Sequence, residues 1–130
     1  MADIINYLFI LVIIPYIISD INIHVIPHTH LDPGWLNTPE EYYFNERIED
    51  IFDTMLKSLI NDRKKTFVIN ELFYFLKWYN SKDKKTQSEM KELINQKRVE
   101  FVSGGYIVND EATPLYYNKM DQIRIGLQYL

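Results

Sequence analysis

The chain has 130 residues, 47% of them hydrophobic and 25% charged, which is the balance of one small globular domain. Its formal net charge of −4 leaves no basic surface to neutralise phosphates, so we expect no nucleic-acid partner. Because the chain contains no cysteine, disulfide scaffolds, thiol nucleophiles and cysteine-ligated zinc sites are excluded.

The chain begins with an apolar segment. Residues 4–18 are almost entirely Ile, Leu, Val, Phe and Tyr, a run as long as the apolar part of a signal peptide and shorter than the ~20 residues that span a bilayer. Asp3 precedes this run and no Lys or Arg does, which is unusual for a signal. We predict a cleaved signal peptide in residues 1–20, and hence a protein of the secretory pathway: lysosome or vacuole, Golgi, or outside the cell. An uncleaved anchor and a buried strand are the alternatives, and we expect a membrane partner only if the segment is retained.

Beyond residue 20, strand-like and helix-like patterns alternate. Short apolar runs predict strands at 22–27, 66–70 and 99–102, the first of them buried on both faces. The order is that of βαβ units with a parallel sheet, an α/β fold in which ligands bind beyond the carboxyl ends of the strands. Helix-start signals and hydrophobic spacing predict helices from Thr38-Pro39 to about Asn61, over 72–79, around 90–94, and from Thr113-Pro114 to Leu130.

The first and last of these helices are each predicted to face the core with one apolar stripe. The stripes are Phe44, Ile48, Ile51, Met55 and Leu59 in the first helix and Tyr116, Met120, Ile123, Leu127 and Leu130 in the last. Because the last stripe is still unbroken at its final residue and three strands seldom close an α/β sheet, we expect the chain to be the front of a larger domain.

A candidate metal site follows the first predicted strand. His28, His30 and Asp32 alternate with Thr29 and Leu31, and in an extended backbone alternate side chains project to the same side. Two imidazoles and a carboxylate are donors that Zn²⁺ takes at ~2.0–2.2 Å. These residue types predict a zinc site without deciding which histidine binds, and the alternative is a polar loop with hydrogen-bonded histidines.

Four other residues carry separate expectations. The turn at Pro33-Gly34 should leave Trp35 beside the candidate metal site. His24 lies within the apolar run, so we expect it to be a buried, hydrogen-bonded structural residue. The aromatic pair Trp78-Tyr79 is most simply part of the core.

Carboxylates follow the other two predicted strands. Gly104-Gly105 frees the backbone after the third strand, and Asp110 and Glu111 come just before the last helix. Because loops after parallel strands can share one rim, a carboxylate there could join the candidate metal site; otherwise both are solvated charges near the positive end of the helix. Glu71, after the second strand, could be a ligand, a residue supporting a ligand, or a helix-start charge.

Two long motifs carry a family resemblance. Residues Pro27–Trp35 (PHTHLDPGW) and Gly104–Thr113 (GGYIVNDEAT), with 71–79 between them, are similar in order and separation to motifs of glycoside hydrolase family 38, the class II α-mannosidases. The resemblance runs collinearly over residues 22–130. Tyr106 departs from it, since the family usually has Trp at that position.

The resemblance implies a function and assigns roles. It implies a retaining α-mannosidase that hydrolyses terminal α-mannose from glycans, with Zn²⁺ as cofactor and a mannose-containing glycan as substrate. His30, Asp32 and Asp110 would bind the zinc, and Asp110 would also be the catalytic nucleophile. Trp35 would pack against the mannose ring, and His28 would be a supporting residue.

The resemblance also implies an incomplete catalytic domain. The family's domain is a seven-stranded α/β barrel-like fold of several hundred residues, so residues 21–130 would be its N-terminal portion. The general acid and the remaining zinc-binding histidine would lie beyond Leu130, and we expect this portion alone neither to fold tightly nor to turn over substrate. Two other functions stay open: a different zinc metallohydrolase, because His-x-His-x-Asp also opens binuclear sites, and a secreted, catalytically dead mannose-binding module.

Overall fold

The computed structural model describes residues 21–109 and 115–130, so the predicted signal peptide lies outside the described residues. The described ranges form a small α/β structure of two strands and five helices. None of these helices is long and apolar enough to cross a bilayer. In chain order the elements are α1 (Pro39–Asn45), α2 (Ile48–Asn61), β1 (Phe67–Ile69), α3 (Phe73–Ser81), α4 (Lys84–Asn95), β2 (Val99–Phe101) and α5 (Tyr116–Leu127).

The two strands form a parallel sheet. Phe67 of β1 lies opposite Val99 of β2, and Ile69 lies opposite Phe101. The connection between the strands runs through α3 and α4, which makes this part of the chain a βαβ unit. The predicted second and third strands, the two helices between them and their parallel pairing are therefore confirmed.

The predicted first strand is not formed. Residues 21–27 have no regular secondary structure, and Ile23 and Val25 are 82% and 84% exposed. A strand buried on both faces needs a neighbouring strand and covering layers along its whole length. In the described part of the chain, β1 forms hydrogen bonds only with the end of this segment, at residues 27–29. There Val68 donates to the Pro27 carbonyl at 2.9 Å, and Thr29 donates to the Val68 carbonyl at 3.1 Å. His24 is exposed as well, so its predicted burial is wrong.

The predicted first helix is divided into α1 and α2. Its start is confirmed: the Thr38 hydroxyl accepts from the Glu41 backbone N–H, and the Glu41 carboxylate accepts from the Thr38 N–H, which completes a capping box. These hydrogen bonds with Thr38 lower the pKa of Glu41. Its interior is broken because Arg47 has a φ of 55°, in the left-handed region.

The break at Arg47 changes which side chains face the core. Of the predicted stripe, Ile48, Met55 and Leu59 are buried, but Phe44 is 67% exposed and Ile51 is 43% exposed. Tyr43 and Phe52, one position away in each case, are buried instead. The break explains the exchange of Phe44 for Tyr43, because α1 and α2 do not share one stripe. Ile51 lies inside α2, where the buried stripe runs through Ile48, Phe52 and Met55 and leaves Ile51 at its edge.

An aromatic cluster joins α2 to α3. Trp78 is fully buried, as predicted, and its ring stacks on Phe52 with centroids 5.5 Å apart. The Trp78 indole N–H donates to Asp53 Oδ1 at 2.7 Å, and Lys82 Nζ lies 2.7 Å from Glu49 Oε1 and 2.8 Å from Asp53 Oδ1. Burial lowers the pKa of Lys82, but its hydrogen bonds to Asp53 and Glu49 outweigh this and raise the pKa. These contacts fix the helix that follows β1.

The last helix docks through small and polar residues rather than through its apolar stripe. Gly126 and Gln122 are buried, while Tyr116, Met120, Leu127 and Leu130 of the predicted stripe are all more than half exposed. Gly126 allows the helix backbone to approach the loop after β2, where a side chain would not fit. The predicted start at Thr113-Pro114 lies outside the described residues, and the helix ends at Leu127 rather than at Leu130.

We predict that Gly126→Ala destabilises the protein by about 1–3 kcal/mol, because overpacking forces backbone to move. An added Cβ would overlap the Gly104 carbonyl oxygen and lie 2.7 Å from the Tyr106 nitrogen. The measurement is the thermal unfolding midpoint of the full-length protein, with Asn118→Ala on an exposed position of α5 as control. Equal midpoints for the two variants would show that α5 does not dock in this way.

Candidate functional site

The His28–Asp32 segment is held against the end of β1. His28 pairs with Val68 in a single parallel bridge, and the hydroxyl of buried Thr29 accepts a hydrogen bond from the Asn70 backbone N–H at 2.9 Å. Thr29 therefore points toward the protein interior. The extended backbone alternates its side chains, so His30 and Asp32 are exposed while Leu31 packs against the core.

The structure brings His30 and Asp32 together. His30 Nε2 lies 3.5 Å from Asp32 Oδ1, with the two side chains 62% and 51% exposed. His28 is placed differently, because its Nδ1 is 2.8 Å from the Thr29 carbonyl oxygen. The segment thus presents one imidazole and one carboxylate side by side, and the third residue of the pattern bonds to the backbone.

Trp35 lies on the rim of a cavity beside this pair. The cavity has a volume of about 310 Å³, and its lining includes His30, Asp32, Trp35 and Tyr42. Trp35 is 73% exposed, so its side chain is accessible to a ligand. The turn that carries it is fixed by the Leu36 backbone N–H, which donates to the Tyr42 hydroxyl at 2.9 Å. The structure thus places Trp35 beside His30 and Asp32, where the sequence led us to expect it.

The loops after the two strands meet at one edge of the sheet. The Phe73 backbone N–H at the start of α3 donates to the Tyr106 carbonyl at 2.9 Å, and the Leu72 N–H lies 3.2 Å from the same oxygen. The first turn of α3 thus takes its hydrogen-bond acceptors from the loop after β2. The loops after β1 and β2 therefore lie at the same edge of the sheet. This is the edge at which ligands of parallel α/β sheets bind.

Gln122 holds the loop that leads to the predicted nucleophile. Its backbone carbonyl accepts from Tyr106 at 3.1 Å, its Oε1 accepts from the Ile107 N–H at 3.2 Å, and its Nε2 donates to Asn109 Oδ1 at 2.7 Å. Asp110 and Glu111 come next and lie outside the described residues. The sequence did not reveal this role of Gln122. A polar residue beside the apolar Ile123 of a predicted helix is not expected to be buried.

Glu71 has an unusual environment. Its side chain is buried, with a residue exposure of 1%, and neither carboxylate oxygen has a hydrogen-bond partner in the described part of the chain. Burial raises the pKa of this carboxyl, Thr29, the backbone of Leu31 and the His30 imidazole act to lower it, and the Asp32 charge acts to raise it. Glu71 therefore faces the inner side of the segment that presents His30 and Asp32.

The donors present fit a zinc ion as far as they are described. An imidazole nitrogen and a carboxylate oxygen 3.5 Å apart could bind the same ion, and N and O donors of this kind suit Zn²⁺. Within residues 21–109 and 115–130, no three His, Asp or Glu side chains form a metal-binding group. The third ligand that the sequence suggests, Asp110, lies outside those ranges.

Comparison with known proteins defines the class. Residues 20–130 match the family model described as the N-terminal domain of glycosyl hydrolases family 38. The match covers most of the chain and both of its long motifs, which places the protein among glycoside hydrolases.

Individual relatives narrow this further. The chain is 35% identical to the lysosomal alpha-mannosidase of Bos taurus, 33% to that of Homo sapiens and 34% to that of Dictyostelium discoideum, each over 117 residues or 85% of this chain. The chain belongs to glycoside hydrolase family 38, as its motifs suggested. It spans about an eighth of the length of these relatives, 12% in each case.

Proposed function

We propose that the protein is a zinc-dependent, retaining α-mannosidase that hydrolyses terminal α-mannose from glycans, and that this chain is the N-terminal portion of its catalytic domain. The observation that carries the proposal is the pairing of His30 with Asp32 beside a cavity, within a sequence that belongs to family 38. The relatives are named alpha-mannosidases, which supports the substrate class.

The proposed site combines residues from both loops. His30, Asp32 and Asp110 would hold the zinc ion, which when bound supplies positive charge that fixes sugar hydroxyls and keeps nearby carboxylates ionised. Trp35 would offer an apolar surface to the C–H face of the mannose ring. The hydrogen bonds of Gln122 with Ile107 and Asn109 support this arrangement, because they tie down the loop that leads to Asp110.

The proposed reaction follows the two-step course of retaining glycosidases. The Asp110 carboxylate forms a bond to the anomeric carbon while the bond from that carbon to the leaving oxygen breaks, and a general acid protonates the leaving oxygen. A water molecule then attacks the anomeric carbon, the bond from that carbon to Asp110 breaks and mannose is released. The residue that acted as the acid takes the proton from this water. No residue of this chain is assigned as the general acid.

We also propose a larger sheet and a secretory location. In the seven-stranded domain that the resemblance implies, residues 22–27 would pair along β1 and the exposed face of α5 would be covered. The exposed apolar side chains of Ile23, Val25 and Met120 support this. A location in the secretory pathway is supported by the apolar run at 4–18 and by the lysosomal names of the relatives.

We predict that His30→Ala strongly weakens zinc binding by the full-length protein, because it removes one of the proposed ligands. The metal content after dialysis, measured by atomic emission, should fall well below that of the wild type. His24→Ala is the matched control, since His24 is an exposed histidine outside the site. Wild-type zinc content in His30→Ala would refute the proposed ligand set.

We predict that Asp110→Asn abolishes the release of mannose from an aryl α-mannoside, because an amide cannot form the glycosyl–enzyme bond. The loss in kcat should be at least ~10³-fold, with the protein still folded. Asp121→Asn, which changes an exposed aspartate of α5, is the control and should have a kcat close to that of the wild type. Normal turnover by Asp110→Asn would remove the mechanism, and sugar binding without turnover by the wild type would favour a mannose-binding module.

We predict that Trp35→Ala raises KM for the aryl α-mannoside more than it lowers kcat. Stacking on an exposed indole contributes to holding the sugar and takes no part in proton transfer or bond formation. Leu36→Ala is the control, because Leu36 is an equally exposed apolar neighbour. A fall in kcat with unchanged KM would show that Trp35 acts on the reacting atoms instead.

A further inference from the structure

Glu71 is a buried carboxyl group that the reaction proposed above does not use. Both of its oxygens lack a hydrogen-bond partner among the described residues, although its residue exposure is only 1%. Burying a polar group without a partner costs about 1–3 kcal/mol, and more when the group is charged. A residue that only filled the core would be apolar, so its side chain calls for a role that needs a carboxylate.

A helix-start role does not account for Glu71. A carboxylate near the first turn of a helix is stabilised by backbone N–H groups that have no other acceptor. In α3 the N–H groups of Leu72 and Phe73 already donate to the carbonyls of Gly105 and Tyr106. Neither Glu71 oxygen accepts a hydrogen bond from this turn among the described residues, so Glu71 does not cap α3.

The neighbours of Glu71 belong to the segment that presents the candidate metal ligands. Asn70, the residue before it, donates its N–H to the hydroxyl oxygen of Thr29, so that hydroxyl keeps its own hydrogen for another acceptor. Thr29 and the backbone of Leu31 both act to lower the pKa of Glu71, which indicates that they lie near its carboxyl, and both are on the inner side of the segment. His30 and Asp32 lie on its outer side.

We propose that Glu71 is a positioning residue for the zinc site: its buried carboxylate, which has no partner among the described residues, would accept the Leu31 N–H and the Thr29 hydroxyl when zinc binds and so hold His30 and Asp32 in the orientation that binds the ion. This inference rests on the proposed zinc site. A bound cation between His30 and Asp32 also favours a carboxylate behind them, because opposite charges attract strongly where water is excluded. Partners of this kind, which touch the ligands rather than the metal, are common in zinc proteins.

The test is zinc affinity in Glu71→Gln. This substitution keeps the shape of the side chain and removes the charge and one acceptor oxygen. Zinc-free full-length protein is titrated with Zn²⁺ in competition with a chromophoric chelator, and the visible spectrum of the Co²⁺-substituted protein reports the geometry of the ligands. Glu100→Gln on β2 is the matched control, because Glu100 is an exposed glutamate of the same sheet.

We expect Glu71→Gln to bind Zn²⁺ ~10–100-fold more weakly than the wild type and to change the Co²⁺ spectrum, with Glu100→Gln unchanged. A zinc affinity within about threefold of the wild type, with the same Co²⁺ spectrum, would overturn the inference and leave the zinc site intact. A lower unfolding midpoint of the metal-free variant with unaltered zinc affinity would also overturn it, since that is the result of a purely structural role.

Two further measurements separate the remaining outcomes. If Glu71→Gln does not fold, Glu71→Met is measured in its place, because an apolar side chain of similar volume is often tolerated where a buried charge is removed. Wild-type protein that binds no Zn²⁺ and does not differ from His30→Ala would refute the proposed function, and this inference would fall with it.

Discussion

The structure depends on the few hydrogen bonds that the Asn70–Phe73 connection makes on its two sides. On one side the Asn70 N–H bonds to the Thr29 hydroxyl, and on the other the N–H groups of Leu72 and Phe73 bond to the loop after β2. A connection between a strand and a helix has backbone groups that must find partners, and here both partners are loops that carry candidate ligands. The hydrogen bonds that satisfy the backbone groups of this connection therefore also bring the two loops of the candidate site together.

Buried packing lies behind this connection. The stacking of Trp78 on Phe52 joins α3 to α2, and Lys82 at the end of α3 pairs with Glu49 and Asp53 of α2. Precise sites are built on elements whose own positions are locked by packing. The exposed pair His30 and Asp32 is thus held from behind by a buried layer, although the two side chains themselves face solvent.

The elements that the sequence predicted correctly are those with local signals. The capping box at Thr38, the short apolar strands at 66–70 and 99–102, and the helices between them depend on neighbouring residues alone. The failures needed long-range information. An apolar run at 22–27 does not specify which strand will pair with it, and nothing in the composition around Arg47 signals a left-handed residue inside a helical pattern.

Two parts of the site could be predicted only coarsely for a similar reason. The sequence placed His30, Asp32 and Trp35 near one another, since alternation and a Pro-Gly turn are local features, and the structure brings these three around one cavity. The burial of Glu71 and Gln122 follows from tertiary docking, which a polar residue in a sequence does not reveal. The choice of His30 over His28 came from the resemblance and not from the residue types themselves.

The strict alternation along Thr29 to Asp32 constrains how this segment can change in length. Inserting or deleting one residue moves every later side chain of the segment to the opposite face. A hydroxyl or an apolar side chain would then point to solvent, and a charged side chain would point toward the sheet. Changes of two residues would preserve the parity but shift the charged pair by ~6–7 Å along the chain. Length variation among related proteins should therefore collect in the turn around Gly34 and in the Arg47 break, and the four-residue segment itself should keep a constant size.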